Sequence, residues 1–285
     1  MNRPFWQLPR GVSRGTWDYI RSPRIAEDYE VFLKGNSLFE LDIKFIDQYL
    51  PPVGTPPYVS ADSAPHLQST RPEKQCAPLI ADFGCGTGRV AKKLVPLGYR
   101  VMNIDLSQFM LSETRGDLRS QPRVPWDSNF CIRGNMAELT FLRPKIIDLA
   151  ICLFSSLGMI RDRLNRIAFL SSVRESLHSD AQLIVHVHNR YHSLFDPGGC
   201  MWLMMSGLRS FTSKADFGDR VYNYRGLPSM FLHIYSRREI QKELCEAGFS
   251  NVTLFPIQSA GNDLMRRGSW FSTIRAGGFF AVARR

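Results

Sequence analysis

One stretch limits the fold more than any other: Leu79-Ile-Ala-Asp-Phe-Gly-Cys-Gly-Thr-Gly-Arg89. A short apolar run, Leu79 to Ala81, leads into Asp82 and then into three glycines, Gly84, Gly86 and Gly88. Val90, Ala91, Leu94 and Val95 follow at helical spacing. The pattern predicts a strand, a tight turn and a helix, and glycines in such a turn let a ligand lie against bare backbone. A dinucleotide fingerprint asks for G-x-G-x-x-G, and Arg89 stands where its third glycine would be.

The rest of the chain repeats the strand-then-helix theme. Arg100-Val-Met-Asn-Ile-Asp105 reads as a second strand ending in an acid, where a carboxylate can accept hydrogen bonds from both ribose hydroxyls of a nucleoside. Further strands are expected at 129–132, 146–153 and 181–188, with a helix over 162–177. Ile146 to Leu153 is almost continuously apolar, as a strand buried on both faces should be. Ser236-Arg-Arg-Glu239 is a capping box opening a helix that Gly248 stops, and 251–255 and 278–284 read as two last strands. Alternation of this kind argues for a parallel sheet with helices on both faces.

The G-x-G-x-G loop preceded by Asp82, with Asp105 following, resembles motif I and its acidic partner in the class I S-adenosylmethionine-dependent methyltransferases. The resemblance covers about residues 77–285 and implies an α/β, Rossmann-like sheet of seven mostly parallel strands with a reversed C-terminal edge hairpin and a small cap insertion. It implies S-adenosylmethionine as cofactor, held by Asp82, Gly84, Cys85, Gly86, Gly88, Asp105, Leu106, Asn135, Met136 and Leu153. Asn135 would accept from the adenine amino group through its carbonyl, with a plain turn role as the alternative, and Met136 would pack on the ring. Two departures stand out. Neither an Asp/Asn-Pro-Pro-aromatic sequence nor a Pro-Cys pair follows the fourth strand, which disfavours amino methylation of DNA bases and pyrimidine carbon-5 chemistry. Ser179-Asp180-Ala181 replaces the usual Pro-Gly-Gly turn before the fifth.

Residues 1–50 are expected to form a helical, aromatic-rich extension, including a helix from Asn36 to Leu50, and the Pro- and Ser-rich stretch 51–78 a flexible linker. Residues 79–285 would be the methyltransferase domain. Within it, 189–235 is longer than a crossover needs and carries many aromatics and methionines; leaving the carboxyl end of the fifth strand, it is placed to cap the acceptor. His186 and His188 share one face of that strand, and His188, nearer its end, is the candidate base, with a structural histidine as the alternative. Asn189, Tyr224 and Arg225 are the candidate acceptor contacts, Arg225 for an acidic group. Tyr29 or Phe32 could cover a sulfonium.

The formal charge of +10 favours an anionic partner: a small anionic acceptor first, with tRNA kept open. Six scattered cysteines without a C-x-x-C pair suit reduced thiols, and no metal-ligand set is apparent. No apolar run long enough to cross a membrane occurs and the N-terminus lacks a signal-like core, so a cytoplasmic protein is expected, with no membrane partner. The leading expectation is a methyltransferase acting on a small or medium-sized acceptor. A tRNA-modifying methyltransferase, a nicotinamide-dependent oxidoreductase and a non-catalytic nucleoside-binding module are the alternatives.

Overall fold

The computed structural model describes residues 7–54, 77–119, 125, 127–213, 215–265 and 271–285. The strand before the glycine turn, β1 (Leu79–Phe83), is buried along its whole length. That requires neighbours on both edges and layers on both faces, and the rest of the sheet supplies them. On one side lie β2 (Arg100–Asp105) and β3 (Asn129–Arg133), and on the other β4 (Ile147–Cys152) and β5 (Leu177–His188), all parallel. With β6 (Asp219–Tyr224) and β7 (Leu227–His233) set apart as a separate hairpin, β8 (Ser250–Ile257) and β9 (Gly278–Arg284) complete the main sheet. Its order is β3-β2-β1-β4-β5-β9-β8, with β9 antiparallel to both neighbours. This is the reversed edge hairpin that the sequence resemblance implies. The fifth strand starts at Leu177 rather than 181, with an irregularity in its pairing to β4. The expected linker lies almost entirely outside the described residues.

The helices in chain order are α1 (Arg14–Ile20), α2 (Pro23–Glu27), α3 (Tyr29–Leu33), α4 (Ser37–Ile46), α5 (Arg89–Leu94), α6 (Gln108–Arg119), α7 (Arg163–Ser176), α8 (Gly199–Thr212), α9 (Arg237–Glu246) and α10 (Ser272–Arg275). Phe169, Leu170 and Val173 of α7 and Ile240 and Leu244 of α9 fill one face of the sheet. Leu38, Leu41, Phe45 and Ile46 of α4 join Val90 and Leu94 of α5 on the other. Phe45 stacks on Phe280 of β9 with ring centroids 4.2 Å apart, so the N-terminal extension supplies part of the core. Asn36 caps α4 as expected, but the helix ends at Ile46 and passes into a short 3-10 turn, Asp47–Tyr49, rather than running to Leu50. The capping box at Ser236 and Glu239 is formed.

The segment after β5 makes a 3-10 turn (Arg190–Phe195), then α8 and the β6–β7 hairpin. The two hairpin loop residues, Arg225 and Gly226, both have positive φ (49° and 78°), the requirement of a type I′ turn. α1 packs on β7 so closely that a Cβ at Gly15 would lie 2.2 Å from the carbonyl oxygen of Ser229; only glycine fits there.

A buried polar network pins this insertion to the domain. Arg166, fully buried, donates to Glu243 (3.1 Å) and to Asp216 (3.1 Å), while the Tyr235 hydroxyl donates to Glu243. His233 bridges Asp219 (2.8 Å) and Glu239 (3.1 Å), and Arg190 pairs with Glu239. Asp216, Asp219 and His233 are of metal-ligating type and lie close together, but Arg166 already satisfies the first and the two arginines would repel a cation. No helix among the described residues is long and apolar enough to cross a membrane, and the five described cysteines are free.

Truncating one member of a buried ion pair leaves the other charge uncompensated. Glu243→Ala should therefore cost about 3–5 kcal/mol, read as a lowered urea midpoint. A loss below about 1 kcal/mol, the size of an exposed pair, would show that the network does not hold the insertion.

Candidate active site

The chain reverses its strand order between β1 and β4, and in open α/β sheets the crevice at that point, beyond the carboxyl ends, is where ligands bind. The turn after β1 forms one wall. Gly84, Gly86 and Gly88 all sit in the left-handed region, with φ of 74°, 57° and 76°. Side chains would collide here: a Cβ at Gly84 would lie 2.7 Å from Ser156, and one at Gly88 2.3 Å from Thr114. The turn is thus a bare backbone cradle.

The turn after β4 forms the facing wall. Phe154 and Ser155 are consecutive non-glycine residues at positive φ (51° and 61°), a strain of about 1–3 kcal/mol each that functional sites tolerate. It is held by Ser155 Oγ, which accepts from the backbone N–H of His188 (3.2 Å), and by Ser156, whose hydroxyl donates to the Leu153 carbonyl.

Two cavities meet across these walls. One, of about 330 Å³, is lined by Asp82, Gly84, Cys85, Gly86, Arg89 and Leu153, with Tyr29, Lys34 and Phe39 from the N-terminal helices. The other, of about 190 Å³, is lined by Asp105, Leu106, Asn135, Met136 and His188, with Thr16 and Tyr19 of α1 and Tyr222, Tyr224 and Leu232 of the hairpin. Tyr29, Gly84, Gly86, Phe154 and Ser156 border both. Gly88 lies at the base of the turn, where it admits Thr114 rather than lining either space.

Asp105 accepts from the N–H of Gly86 (3.0 Å) and of Ser107 (2.7 Å). Burial pushes its carboxyl up to about 6 against the pull of these amides, so it is ionised at neutral pH and holds the glycine turn. Burial likewise raises Asp82, to about 7, partly offset by Arg89, and it raises the Cys85 thiol. His188 is lowered to about 4, by burial first and then by His192, so its imidazole is neutral at pH 7. A group so weakly basic serves better to accept a hydrogen bond than to remove a proton.

The Asn135 oxygen accepts from the N–H of Ala137 and its amide donates to the carbonyl of Arg10 (2.9 Å), so the N-terminal extension is tied to the site there. Asn189 is buried; its amide donates to the carbonyls of Thr273 and Ala276, and its oxygen caps the 3-10 turn, a use that is internal. The Tyr224 ring stands 6.1 Å from that of Tyr19 across the cavity. Arg225 reaches the Ile25 carbonyl (3.4 Å) and Asp28 (3.6 Å), away from the cavity wall. Tyr29 lies over Gly86; the Phe32 side chain is outside the described residues.

Sequence reasoning missed the partner of Arg89. Its guanidinium pairs with Asp42 (2.8 Å), fully buried on the inward face of α4, donates to the Phe39 carbonyl (2.8 Å) and lies 4.4 Å from the Phe39 ring centroid. The available signal was an acid among the inward positions Leu38, Leu41, Phe45 and Ile46.

Residues 80–180 match the family model described as a methyltransferase domain. Together with the sheet order and the glycine cradle, that decides the fold. It is a class I S-adenosylmethionine-dependent methyltransferase fold. Solved methyltransferase structures from Thermotoga maritima (14% identical, 92% of this chain and 96% of that one, TM-score 0.55) and Clostridium acetobutylicum (16%, 92% and 97%, 0.55) share it. YqeM of Bacillus subtilis, a methyltransferase by its name, is 27% identical over 125 residues, which are 44% of this chain and 47% of that relative. The match thus spans about half of each.

In this methyltransferase fold the Arg89–Asp42 pair makes a pH-dependent prediction. Arg89→Met leaves Asp42 buried without its cation, so its folded-state pKa, already about 7, stays above the unfolded value of about 3.9. The folded variant then binds more protons than the unfolded one between those values, and stability falls as pH rises through the window. The wild-type Asp42 itself sits at about 7 and shares that fall. Chemical denaturation should therefore find the variant's deficit relative to wild type constant between pH 5 and 7 and wider by about 1 kcal/mol at pH 8, where only the variant still holds the proton. A deficit independent of pH would contradict a buried Asp42 charge.

Proposed function

We propose that this protein binds S-adenosylmethionine across the two cavities and methylates a small or medium-sized acceptor in the second. The observation that carries the reading is the left-handed glycine backbone facing Asp105, a cradle that any Cβ at Gly84 would fill. Asp105 would hold the ribose, with Leu106, Asn135 and Met136 around the adenine. The Asn135 oxygen, already capping Ala137, keeps one lone pair for that purpose. The first cavity carries charges of both signs, Asp82 and Glu40 against Lys34 and Arg89, which suits a zwitterionic amino-acid end. Tyr29 and Phe154, bordering both spaces, would flank the sulfonium.

When bound, S-adenosylmethionine supplies an electrophilic methyl carbon on a positively charged sulfur. The protein's own part is alignment, which can contribute about 7–11 kcal/mol when reactants are held at attack distance. His188 would accept a hydrogen bond from the acceptor and orient it, with Tyr19, Tyr222 and Tyr224 as aromatic walls. Among its described lining residues the second cavity has no Lys or Arg, so the reacting end of the acceptor is uncharged. The closing of α1 against the β6–β7 hairpin favours such a molecule over a tRNA base. A nicotinamide dinucleotide is disfavoured by Arg89, whose side chain fills the space that a third glycine would leave open.

Asp105→Asn removes charge-assisted bonds worth about 1.5–3 kcal/mol, so titration calorimetry should show S-adenosylhomocysteine binding about tenfold to a hundredfold more weakly. In the wild type the same affinity should fall as pH drops through about 6, where Asp105 takes up its proton. Unchanged affinity in the variant, or tighter binding of NAD than of S-adenosylhomocysteine, would overturn the reading.

A further inference from the structure

A third cavity, of about 380 Å³, opens where β5 passes into the insertion. It shares His188, Tyr222 and Leu232 with the cavity containing Asp105, so the two are neighbours across one thin wall. Its chemistry is different. Arg220 of β6 and His192 of the 3-10 turn line it, with Asp196 as its one acid among the described residues.

Three other arginines packed around the insertion are engaged by carboxylates, and Arg209 of α8 is exposed and lines none of the three cavities. Arg166 pairs with Glu243 and Asp216, Arg190 with Glu239, and Arg225 with Asp28. Arg220 instead lies over the indole of Trp202 in α8, 5.5 Å from the ring centroid, with no carboxylate of the described residues in ion-pair reach. It is half-buried, and its position on β6 puts it on the same face as Tyr222 and Tyr224, the strand's cavity side. A guanidinium held over an aromatic ring keeps N–H donors for a planar or tetrahedral oxyanion.

We propose that the acceptor carries an anionic oxygen group, a carboxylate or a phosphate, that Arg220 and His192 bind in this third cavity. Its uncharged nucleophilic end then reaches past His188 into the cavity beside Asp105. The assignment rests on the methyltransferase reading and adds to it the charge and two-ended character of the substrate. It also relocates anion recognition from Arg225, which the hairpin turn directs towards Asp28, to Arg220 five positions earlier.

The test uses the full chain saturated with S-adenosylhomocysteine and three matched probes: 4-phenylbutyrate, 4-phenylbutyl phosphate and the neutral 4-phenylbutan-1-ol. Ligand-detected NMR titrations of the wild type should rank at least one anion about tenfold or more above the alcohol, and which anion leads distinguishes carboxylate from phosphate. Arg220→Gln should bring the anion down to the level of the alcohol, and Arg220→Lys should recover part of the preference. Affinity for S-adenosylhomocysteine should stay within about threefold in both variants, which shows that they are folded. Equal binding of alcohol and anions, no binding of any probe, or an undiminished preference in Arg220→Gln would overturn the proposal. Failure of the wild type to bind S-adenosylhomocysteine would instead overturn the methyltransferase reading.

Discussion

The guanidinium of Arg89 against the carboxylate of Asp42 is the contact on which the shape of the site depends. Arg89 opens the helix that follows the glycine turn, and Asp42 lies on the inward face of a helix forty-seven positions earlier. Their pairing, at 2.8 Å and with Asp42 fully buried, locks α4 over the turn. Burial works against charge on Asp42 and the guanidinium works for it, and neither group is tolerable there alone. From this lock follow the placement of Phe39 against Phe154, at 4.8 Å, and the closing of the first cavity. A glycine in place of Arg89 would allow closer helix–strand packing and a different phosphate approach. The arginine spends that space on a wall.

Charge is divided sharply among the three spaces. The first cavity is mixed in sign, the second is aromatic with Asp105 the only charged residue among its described lining, and the third sets Arg220 against Asp196 beside His192. Such partition sets polarity along a path of ligand-sized length, and it does so with side chains from four separate parts of the chain. The network of Arg166, Glu243, Asp216, Asp219, His233, Glu239 and Arg190 is what keeps the last of those parts in register with the sheet.

The sheet was legible because each of its strands announces itself locally. Apolar runs end in Asp82, Asp105 and His188, and the helix after them begins at a recognisable cap or glycine. The capping box at Ser236 formed because both of its partners lie within one turn. What could not be read were bonds across long separations. Asn135 meets Arg10 and Arg89 meets Asp42, and the one local hint is an acid on the inward face of α4, which does not name its partner. Arg225 was singled out for an acidic group from its place between Tyr224 and Gly226, and the hairpin turn sets it beside the Ile25 carbonyl and Asp28, neither of which is near it in the chain. Arg220 was readable by the period of a strand, two and four positions before Tyr222 and Tyr224, once the hairpin was known to be one.

Gly15 pressed against Ser229 has a consequence for the order of events in making this protein. The two residues are over two hundred positions apart, and α1 gains its largest packing surface only when β7 exists. During synthesis α1 therefore emerges long before the strand it packs on most closely, and that contact closes only after β1 to β5 have been made. Contacts of such long range belong to the late steps of folding, because the loop that they close must be paid for before they form. The α1–β7 wall over the second cavity is thus one of the parts of the molecule that closes late.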